Sequence, residues 1–497
     1  MEPVKRADPG ASAAGPALGL ELAMPPRGSR QRLQALHRQL RTAIVDGRLA
    51  AGLQLPSSRE LAATLGIARN TVLAAYDLLL SEGYIDTRPG GGTFVAAVAR
   101  APVRPEATPQ PGADRRTQLN PLWRDPAVIR MTPGTRFTYD FVLGLPDKTA
   151  FPFDVWRRLS ARALRGLSRA PAGYAEPEGR PLLREAIASH VSFARAVACG
   201  ADDVVVTSGA QQAFDLIARV LVTPGKTVVA VEDPGYPPLR HAFAAAGARL
   251  VPVPVDDEGM QVDHLPAGAR VICVTPSHQF PLGATLSLAR RRALLAFARR
   301  HGAVVVEDDY DGEFHHGGRP LDALQTLDQD QLVWYVGTFS KSLFPGLRLG
   351  YAVVPPWARD AVVAARQYTD WHSALLAQDT LAAFMAEGHL ARHIRKMRAT
   401  YTGRHDAVLA ALARHCAGRL APLPADAGLH LAARLHPQAG DARALAQAAA
   451  AAGIRVLPLG ELALTPGRGA DALGFGFGMI RAERVDAAIR RLATLLR

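Results

Sequence analysis

Residues 336–351 read Val336-Gly337-Thr338-Phe339-Ser340-Lys341-Ser342-Leu343-Phe344-Pro345-Gly346-Leu347-Arg348-Leu349-Gly350-Tyr351. An apolar run from Leu332 to Val336 enters this stretch and has the composition of a buried β-strand. The residues that follow are rich in Thr, Ser, Gly and Pro, which are typical of a loop. We therefore expect Lys341 to stand in a loop at the carboxyl end of a strand.

Lysine is rare in this chain, and nearly all of the positive charge is arginine. The lysines are Lys5, Lys148, Lys226, Lys341 and Lys396. An amine can lose its proton and condense with an aldehyde, whereas a guanidinium group stays charged. A lysine kept among small polar residues therefore favours a chemical role for Lys341. The alternative is an ordinary exposed lysine.

The whole stretch closely resembles the lysine motif of fold-type I pyridoxal-phosphate (PLP) aminotransferases. In that family the lysine joins PLP through a Schiff base, and PLP serves as an electron sink. A hydroxyl three residues before the lysine and an arginine seven residues after it bind the cofactor phosphate. Thr338 and Arg348 occupy these places, and Ser340 adds a further hydroxyl. The resemblance implies PLP as the cofactor.

Apolar, β-branched runs alternate with segments of helical length on both sides of this motif. The runs lie at 204–207, 227–231, 271–275, 303–306, 332–336 and 349–354, and helical segments include 211–221 and 288–300. Continuous apolar strands indicate a sheet buried on both faces, so we predict an α/β fold with a mostly parallel sheet flanked by helices. The mixed pattern beyond about residue 400 predicts a smaller α+β subdomain. Ligands of such sheets bind beyond the carboxyl ends of the strands.

Two more segments lie at predicted strand ends. Gly209, Ala210 and Gln211 leave one strand and open a helix, where free amides and the helix dipole favour a phosphate. By the aminotransferase resemblance these residues form the phosphate-binding loop. The segment ending at Tyr236 resembles the Glu-x-Pro-x-Tyr segment of the family, whose aromatic ring stacks on the pyridine. Tyr236 is the stacking candidate, and the alternative is a tyrosine packed at a strand end.

A group of acidic residues, 307–311, ends another predicted strand. A carboxylate beside the pyridine nitrogen keeps that nitrogen protonated, so that the ring withdraws electrons. We assign this role to Asp308, with Asp309 as the fallback, and assign Tyr310 to the phenolic oxygen of the ring. The alternatives are a solvated acidic loop and a metal cluster, and we expect no metal site.

The chain departs from the aminotransferase pattern at two places. Residues 276–283 lie where the family usually carries Asn-Pro-x-Gly, but Phe280 precedes the proline and His278 and Gln279 have no assigned role. The His-Gln-Phe-Pro variant is typical of the MocR-like branch of GntR regulators. The family also places a carboxylate-binding arginine near the C-terminus, where this chain has Gly474, with Arg481 further on. The second departure favours sensing over catalysis.

The region from residue 30 to 95 has the pattern of a helix-turn-helix followed by a wing. A first helix carries apolar residues at helical spacing, Ser57 or Ser58 is a natural N-cap for a second helix, and Gly66 ends that helix. A third helix begins near Arg69. Residues 82–85 and 90–95 predict two short strands joined by a glycine tip.

This block resembles the winged helix-turn-helix domain of GntR-family transcription regulators, in which the recognition helix enters the major groove and the wing tip touches the backbone or minor groove. By that resemblance, contacts to double-stranded DNA would come from Ser58, Arg59, Arg69, Asn70 and Thr71, with Arg88, Gly90 and Gly91 in the wing. Arginine suits paired acceptors on guanine or phosphate. The alternative is a small helical protein-interaction module.

Composition sets broader limits. The formal net charge of +13 and a pI near 10.1 suit a polyanionic partner. Three cysteines, Cys199, Cys273 and Cys416, have no motif spacing, which makes a disulfide framework or zinc site improbable. The chain shows no signal peptide and no apolar run of membrane-spanning length, so we expect a cytoplasmic bacterial protein that associates with the nucleoid when bound to DNA.

The segments predict a flexible tail at 1–26, a GntR-type DNA-binding domain at 27–96, a proline-rich linker at 97–136 and a PLP-binding aminotransferase-like domain at 137–497. This order resembles the MocR/PdxR/GabR-type GntR regulators. That resemblance implies PLP, with or without an amino compound, as effector, and a head-to-tail, domain-swapped homodimer on an operator with repeated half-sites. The alternatives are an active aminotransferase carrying a DNA-binding domain, and a DNA-binding protein that uses its second domain only as a dimerisation scaffold.

Overall fold

The computed structural model of the chain describes residues 18–26, 29, 31–88, 91–97, 115–124, 137–317 and 322–496. These residues form two compact units, divided at residue 126. Residues 1–17 of the predicted tail, and most of the predicted linker, lie outside the described residues.

The described part of the N-terminal unit contains three α-helices and a small sheet. Its elements are α1 (Arg32–Val45), β1 (Gln54–Leu55), α2 (Ser58–Leu65), α3 (Arg69–Ser81), β2 (Ile85–Arg88) and β3 (Gly92–Val95). The three strands pair antiparallel in the order β1-β3-β2. This is a winged helix-turn-helix with one strand, β1, that was not predicted.

Local sequence explains where α2 begins and ends. The Ser57 hydroxyl accepts a hydrogen bond from the Glu60 amide at 3.3 Å, and the Glu60 carboxylate accepts one from the Ser57 amide at 2.9 Å. This reciprocal pair is a capping box and selects Ser57, rather than Ser58, as the N-cap. Gly66 ends the helix with φ +60°, a left-handed conformation that glycine adopts without strain.

Two boundary predictions are wrong. Residues 82–83 were placed in a strand, but the amides of Glu82 and Gly83 donate to carbonyls of α3 and close that helix. Residues 18–26 were placed in the flexible tail, but Leu22 is buried in the core of the unit and Ala23 exchanges two hydrogen bonds with the Gln39 side chain. These contacts are long-range, so local composition did not reveal them.

The core of the N-terminal unit is expected to depend strongly on Leu79. Leu79 of α3 is fully buried, while the neighbouring Leu78 is 41% exposed. Leu79→Ala is expected to lower the free energy of unfolding of this unit by about 2–5 kcal/mol because it leaves a cavity. Leu78→Ala is the matched control and should change it by about 0.5 kcal/mol or less. Calorimetric unfolding of the full chain measures both, and equal effects would contradict the packing described.

The second unit alternates strands and helices along the chain. Its elements are β4 (Tyr139–Asp140), α4 (Phe153–Leu167), α5 (Pro181–Arg195), β5 (Val204–Thr207), α6 (Ala210–Leu221), β6 (Val228–Asp233), α7 (Pro237–Ala245), β7 (Arg249–Asp256), β8 (Gly259–Met260), β9 (Ala269–Val274), α8 (Leu288–His301), β10 (Val304–Asp309), β11 (Val333–Thr338), β12 (Gly350–Val353), α9 (Arg359–Asp370), α10 (Leu375–Ala386), α11 (His389–His415), β13 (Leu420–Pro422), β14 (His430–Leu435), α12 (Ala442–Ala451), β15 (Ile454–Arg455), β16 (Leu457–Pro458), β17 (Ala472–Gly476) and α13 (Ala482–Ala493).

The large sheet has eight strands in the order β5-β12-β11-β10-β9-β6-β7-β8. The pairs from β11 through β10, β9 and β6 to β7 are parallel, which confirms the predicted mostly parallel sheet. Strand β12 is antiparallel to both of its neighbours. The loop from Thr338 to Gly350 therefore reverses the chain direction between two neighbouring strands, and it places Lys341 at the carboxyl end of β11.

Both faces of this sheet are covered, as continuous apolar strands predict. In β9, Val271 and Cys273 pack with α6 and α7, while Ile272 and Val274 pack with α8. The alternation follows from the two-residue period of a strand.

A second, smaller sheet lies in the C-terminal part of the unit. It has the order β13-β14-β17-β16 and is antiparallel throughout. Helices α11 and α13 pack beside it. Among the described residues, no helix is both long and apolar enough to cross a membrane.

Candidate functional site

A cavity of about 90 Å³ lies where the segments after several strands of the large sheet converge. Its lining lies at or after the carboxyl ends of β4, β6, β9, β10 and β11, or opens α6. The lining residues are Gly144, Ala210, Gln211, Tyr236, Phe280, Asp308, Tyr310, Thr338, Ser340, Lys341 and Arg348. Parallel strands bring such distant segments together because their carboxyl ends meet at one edge of the sheet.

All the cofactor candidates except Gly209 line this cavity. Gly209 lies directly behind it, and a Cβ atom there would stand 3.0 Å from one terminal guanidinium nitrogen of Arg348 and 3.1 Å from the other. Gly144 was missed, because it is 197 residues from Lys341 in the chain and no motif marks it. Phe280 was noted only as a departure from the family pattern, although it lines the cavity.

The amine of Lys341 points into the cavity. Its Nζ donates a hydrogen bond to the carbonyl oxygen of Gly144 at 2.7 Å. Burial lowers the pKa of Lys341, while Asp311 and Asp308 act in the opposite direction. A lowered pKa makes more of the amine neutral, which is the form that attacks a carbonyl carbon.

Asp308 and Asp309 have different environments although they are adjacent. Asp308 lines the cavity, is 3% exposed, and has no hydrogen-bond partner for its Oδ1 within the described part of the chain. Burial, with repulsion from Asp309, raises the pKa of Asp308 well above its usual value. Asp309 points elsewhere and accepts hydrogen bonds from Arg195 Nε and Tyr335 Oη, each at 2.6 Å. The structure therefore brings Asp308, and not the fallback, to the cavity, and burial excludes the solvated-loop alternative.

Two tyrosines and a phenylalanine form the aromatic part of the lining. The rings of Tyr236 and Phe280 meet edge to face, with centroids 5.3 Å apart. Burial, with repulsion from Asp308, raises the pKa of Tyr236 to about 12. Burial, with repulsion from Asp311 and Asp308, raises the pKa of Tyr310 well above its usual value. Both phenols therefore keep their protons at neutral pH.

The part of the lining around Ala210, Thr338 and Arg348 is suited to an anion. Helix α6 begins at Ala210 after Gly209, and no side chain caps its first turn. The Arg348 guanidinium reaches this point and donates to the carbonyl oxygen of Ser208 at 2.7 Å. The hydroxyl of Thr338 donates to Ser340 Oγ at 3.0 Å. A helix start, an arginine and two hydroxyls are the usual components of a phosphate site.

The structure also shows the surroundings of the residues at which the chain departs from the aminotransferase pattern. His278 lies behind the cavity and contacts Tyr310, whereas Gln279 donates to the Glu232 carboxylate and the Pro234 carbonyl and so braces the loop. Gly474 is packed: a Cβ atom there would meet a methyl group of Leu459 at 2.9 Å and methyl groups of Leu143 at 3.0 and 3.1 Å, so a larger side chain requires these leucines to move.

The DNA-binding candidates lie on the N-terminal unit. Arg59, Arg69 and Asn70 are exposed near the first turns of α2 and α3. Arg69 Nε donates to Ser58 Oγ at 3.3 Å. Thr71 is partly buried.

The wing candidates lie in the same unit. The guanidinium of Arg88 stacks over the Phe94 ring at 4.5 Å from its centroid. Gly91 is exposed beside it, and its carbonyl accepts from Gln54 Nε2 at 2.8 Å. Gly90 lies outside the described residues.

Comparison with known proteins places both units in families. Residues 144–470 match the aminotransferase class I and II family, and residues 33–95 match the gntR family of bacterial regulatory proteins. The chain is 39% identical over 428 residues to the probable rhizopine catabolism regulatory protein MocR of Rhizobium meliloti, covering 85% of each chain. It is 31% identical over 395 residues to the HTH-type pyridoxine biosynthesis transcriptional regulator PdxR of Corynebacterium glutamicum, covering 80% of this chain and 81% of that relative.

Solved aminotransferases share the fold of the second unit. The α-aminoadipate aminotransferase LysN of Thermus thermophilus, complexed with N-(5′-phosphopyridoxyl)-L-leucine, is 29% identical, with a TM-score of 0.66 over 73% of this chain and 92% of that chain. The Pyrococcus horikoshii kynurenine aminotransferase, in complex with PMP, is 28% identical, with a TM-score of 0.66 over 72% of this chain and 90% of that chain. The chain thus belongs to the GntR-type transcriptional regulators in which a winged helix-turn-helix is joined to a domain of the aminotransferase class I and II family.

Proposed function

We propose that this protein is a PLP-responsive transcription regulator that senses PLP, with or without an amino compound, in the cavity around Lys341. The observation that carries the proposal is the combination of a cavity amine with a lowered pKa and the buried Asp308 carboxylate lining the same cavity, one oxygen of which has no hydrogen-bond partner among the described residues. This arrangement suits a ligand that reacts with the amine and offers a cationic N–H to the carboxylate.

PLP meets both requirements. Its aldehyde would be held covalently by Lys341 Nζ, and Asp308 would receive the pyridine N–H at the oxygen that has no partner in the part of the chain that the structure describes. A cation beside Asp308 favours the ionised carboxylate and offsets the effect of burial on its pKa. When bound, PLP supplies an electron-withdrawing ring.

The remaining lining residues suit the other groups of PLP. Tyr236 would stack on the ring, and Tyr310 would donate its proton to the phenolic oxygen. The phosphate would be bound by the start of α6 at Gly209, Ala210 and Gln211, together with Thr338, Ser340 and Arg348. Burial of a dianion at a helix start beside an arginine is favourable on both dipole and charge grounds.

The N-terminal unit would bind double-stranded DNA through the exposed polar surface of α2, α3 and the wing. Arg59, Arg69, Asn70 and Thr71, with Ser58 orienting Arg69, would contact phosphates and base edges in the major groove, and Arg88 and Gly91 would serve the wing. A head-to-tail homodimer reading repeated half-sites would add the contacts of two such units. Such a regulator acts in the cytoplasm, where the chromosome is.

The second candidate function is an active aminotransferase. Lys341, Asp308 and Tyr236 are arranged around one cavity as that chemistry requires, which favours it. Gly474, which stands where the family has its carboxylate-binding arginine and is packed by Leu459 and Leu143, counts against it. The dimerisation-scaffold alternative does not explain the lowered pKa of Lys341 or the unpartnered oxygen of Asp308.

A visible absorption spectrum distinguishes these functions. The purified full chain is loaded with PLP, freed of excess PLP by gel filtration, and mixed with single amino acids and simple amines in turn. For a sensor, the protein-bound visible band should persist for many hours without accumulation of pyridoxamine phosphate. Rapid conversion to pyridoxamine phosphate, with regeneration by a keto acid, would instead establish the aminotransferase. Absence of any protein-bound band would overturn both.

A further inference from the structure

His278 is a buried residue that the proposed PLP contacts do not use. It is 2% exposed and lies on the loop after β9, at the point where the chain departs from the aminotransferase pattern. Gly428, on the segment before β14, packs against the His278 ring, and any side chain at Gly428 would collide with that ring. The fold therefore holds the imidazole in one position.

The Nδ1 atom of His278 lies between two oxygens. Asp311 Oδ2 is 3.1 Å away and Tyr310 Oη is 2.9 Å away. The Asp311 carboxylate also accepts the Leu429 amide at 3.3 Å, so it acts as an acceptor from two sides. Because a carboxylate accepts, we assign the ring hydrogen of His278 to Nδ1, where Asp311 and the phenol oxygen share it.

This arrangement determines what the phenol can do. Tyr310 Oη lies 2.9 Å from His278 Nδ1 and 3.0 Å from the His278 carbonyl oxygen. With Nδ1 donating, the single hydroxyl proton of Tyr310 goes to this carbonyl or, when PLP is bound, to its phenolic oxygen instead. A hydroxyl that accepts a hydrogen bond becomes a stronger donor, because hydrogen bonds in a chain polarise one another. The contact with Nδ1 holds the phenol beside Phe280 and Lys341, where it lines the cavity.

The ionisable groups near His278 come from several elements. Asp311 and Tyr310 follow β10, and His430 of β14 lies with its ring centroid 4.5 Å from that of His278. Other charged groups interact electrostatically with these neighbours of His278. Tyr310 feels Asp308, Glu232 and Asp309. Lys341 interacts with Asp311 and with His430.

We infer that His278, oriented by Asp311, is a positioning residue that fixes Tyr310 as the hydrogen-bond donor to the phenolic oxygen of PLP. This inference rests on the proposed function. His278 itself does not touch the cavity; it acts through the phenol. The Asp311–His278–Tyr310 chain thereby takes the place of a second side-chain contact to the phenolic oxygen.

The test is a pH titration of the visible absorption of the PLP-loaded full chain. Two substitutions separate the two ring nitrogens: the amide nitrogen of asparagine overlies Nδ1 of a histidine, whereas that of glutamine lies further out, near Nε2. When the phenolic oxygen loses a hydrogen-bond donor, the PLP-loaded site gives up its proton less readily, so the midpoint of the absorption change moves to higher pH. We expect His278→Gln to raise the pH at the midpoint of the absorption change by about one unit, which corresponds to the loss of one charge-assisted hydrogen bond. His278→Asn should keep this midpoint near that of the wild type.

Asp311→Asn gives a second, independent variant. An amide at this position can donate to Nδ1, which moves the ring hydrogen to Nε2 and removes the donor to Tyr310. It should raise the midpoint by less than His278→Gln, because the negative charge it removes raises the pKa of Lys341 and its loss acts in the opposite direction. Tyr310→Phe should raise the midpoint at least as far as His278→Gln. Circular dichroism and thermal unfolding show which variants fold, and the comparison uses those that do.

The outcomes separate the inference from the function on which it rests. A visible band with the same midpoint in wild type, His278→Gln and Asp311→Asn would overturn the role of His278 alone. Equal shifts in His278→Asn and His278→Gln would also overturn it, because the effect would not depend on Nδ1. A wild-type protein without any band would overturn the proposed function, and this inference with it.

Discussion

Lys341→Ala is expected to abolish the visible absorption of the PLP-loaded protein and to remove the effect of PLP on DNA binding. The amine is the group of this cavity that can form a covalent bond to an aldehyde, and its pKa is lowered by burial. In the wild type, PLP should change the affinity for DNA by about 5- to 150-fold, the usual range of coupling between two sites. Such coupling requires that PLP bind the two arrangements of the protein unequally.

The measurement uses a duplex selected from a random pool by the protein itself, labelled with a fluorophore and titrated with and without PLP. Lys396→Ala is the matched control, because Lys396 is an exposed lysine of α11 in the same unit. It should behave like the wild type in both assays. A Lys341→Ala variant that keeps the band, or that keeps the PLP effect on DNA, would show that another group holds the cofactor.

Arg69→Ala is expected to weaken binding to the same duplex by about 1–3 kcal/mol, or about 5- to 150-fold. Arg69 is exposed at the first residue of α3, and its Nε is held by Ser58 Oγ at 3.3 Å. An arginine oriented at the start of a recognition helix is in the position from which such helices contact base edges. The binding is measured by fluorescence anisotropy over a range of salt concentrations.

The salt dependence shows which contact Arg69 makes. If it contacts a phosphate, the slope of log affinity against log salt falls by about one. If it contacts a base, the slope changes little and discrimination between selected and unselected duplexes falls. Arg292→Ala removes the same charge from an exposed position on α8 of the second unit and should leave binding unchanged. Equal binding by both variants would contradict the assignment of α3 as the recognition helix.

The local features of both units were predictable because they depend on neighbours in the chain. The start of α3 at Arg69, the end of α2 at Gly66 and the loop position of Lys341 follow from caps, glycine conformation and apolar periodicity. The two wing strands begin later in the chain than predicted, at Ile85 and Gly92. Glu82 and Gly83 satisfy the last carbonyls of α3 and so belong to the end of that helix.

The choice between Asp308 and Asp309 shows where sequence reasoning ends. Adjacent residues of a strand point to opposite faces, so one of the two must face away from any one cavity. Which of the two aspartates faces the cavity depends on Arg195 of α5 and Tyr335 of β11, because both donate hydrogen bonds to Asp309. Neither partner has a sequence signal that links it to Asp309.

By itself, the sequence determined the two families, the order of the units, the cavity lysine and most of its companions, because strand-end motifs report which residues reach one edge of a parallel sheet. The tertiary structure alone decided that Gly144 accepts from Lys341, that β12 turns back antiparallel, and that His278 pairs with Asp311 and Tyr310. These contacts join segments distant in the chain, and their geometry depends on how the sheet, its covering helices and the smaller sheet pack together.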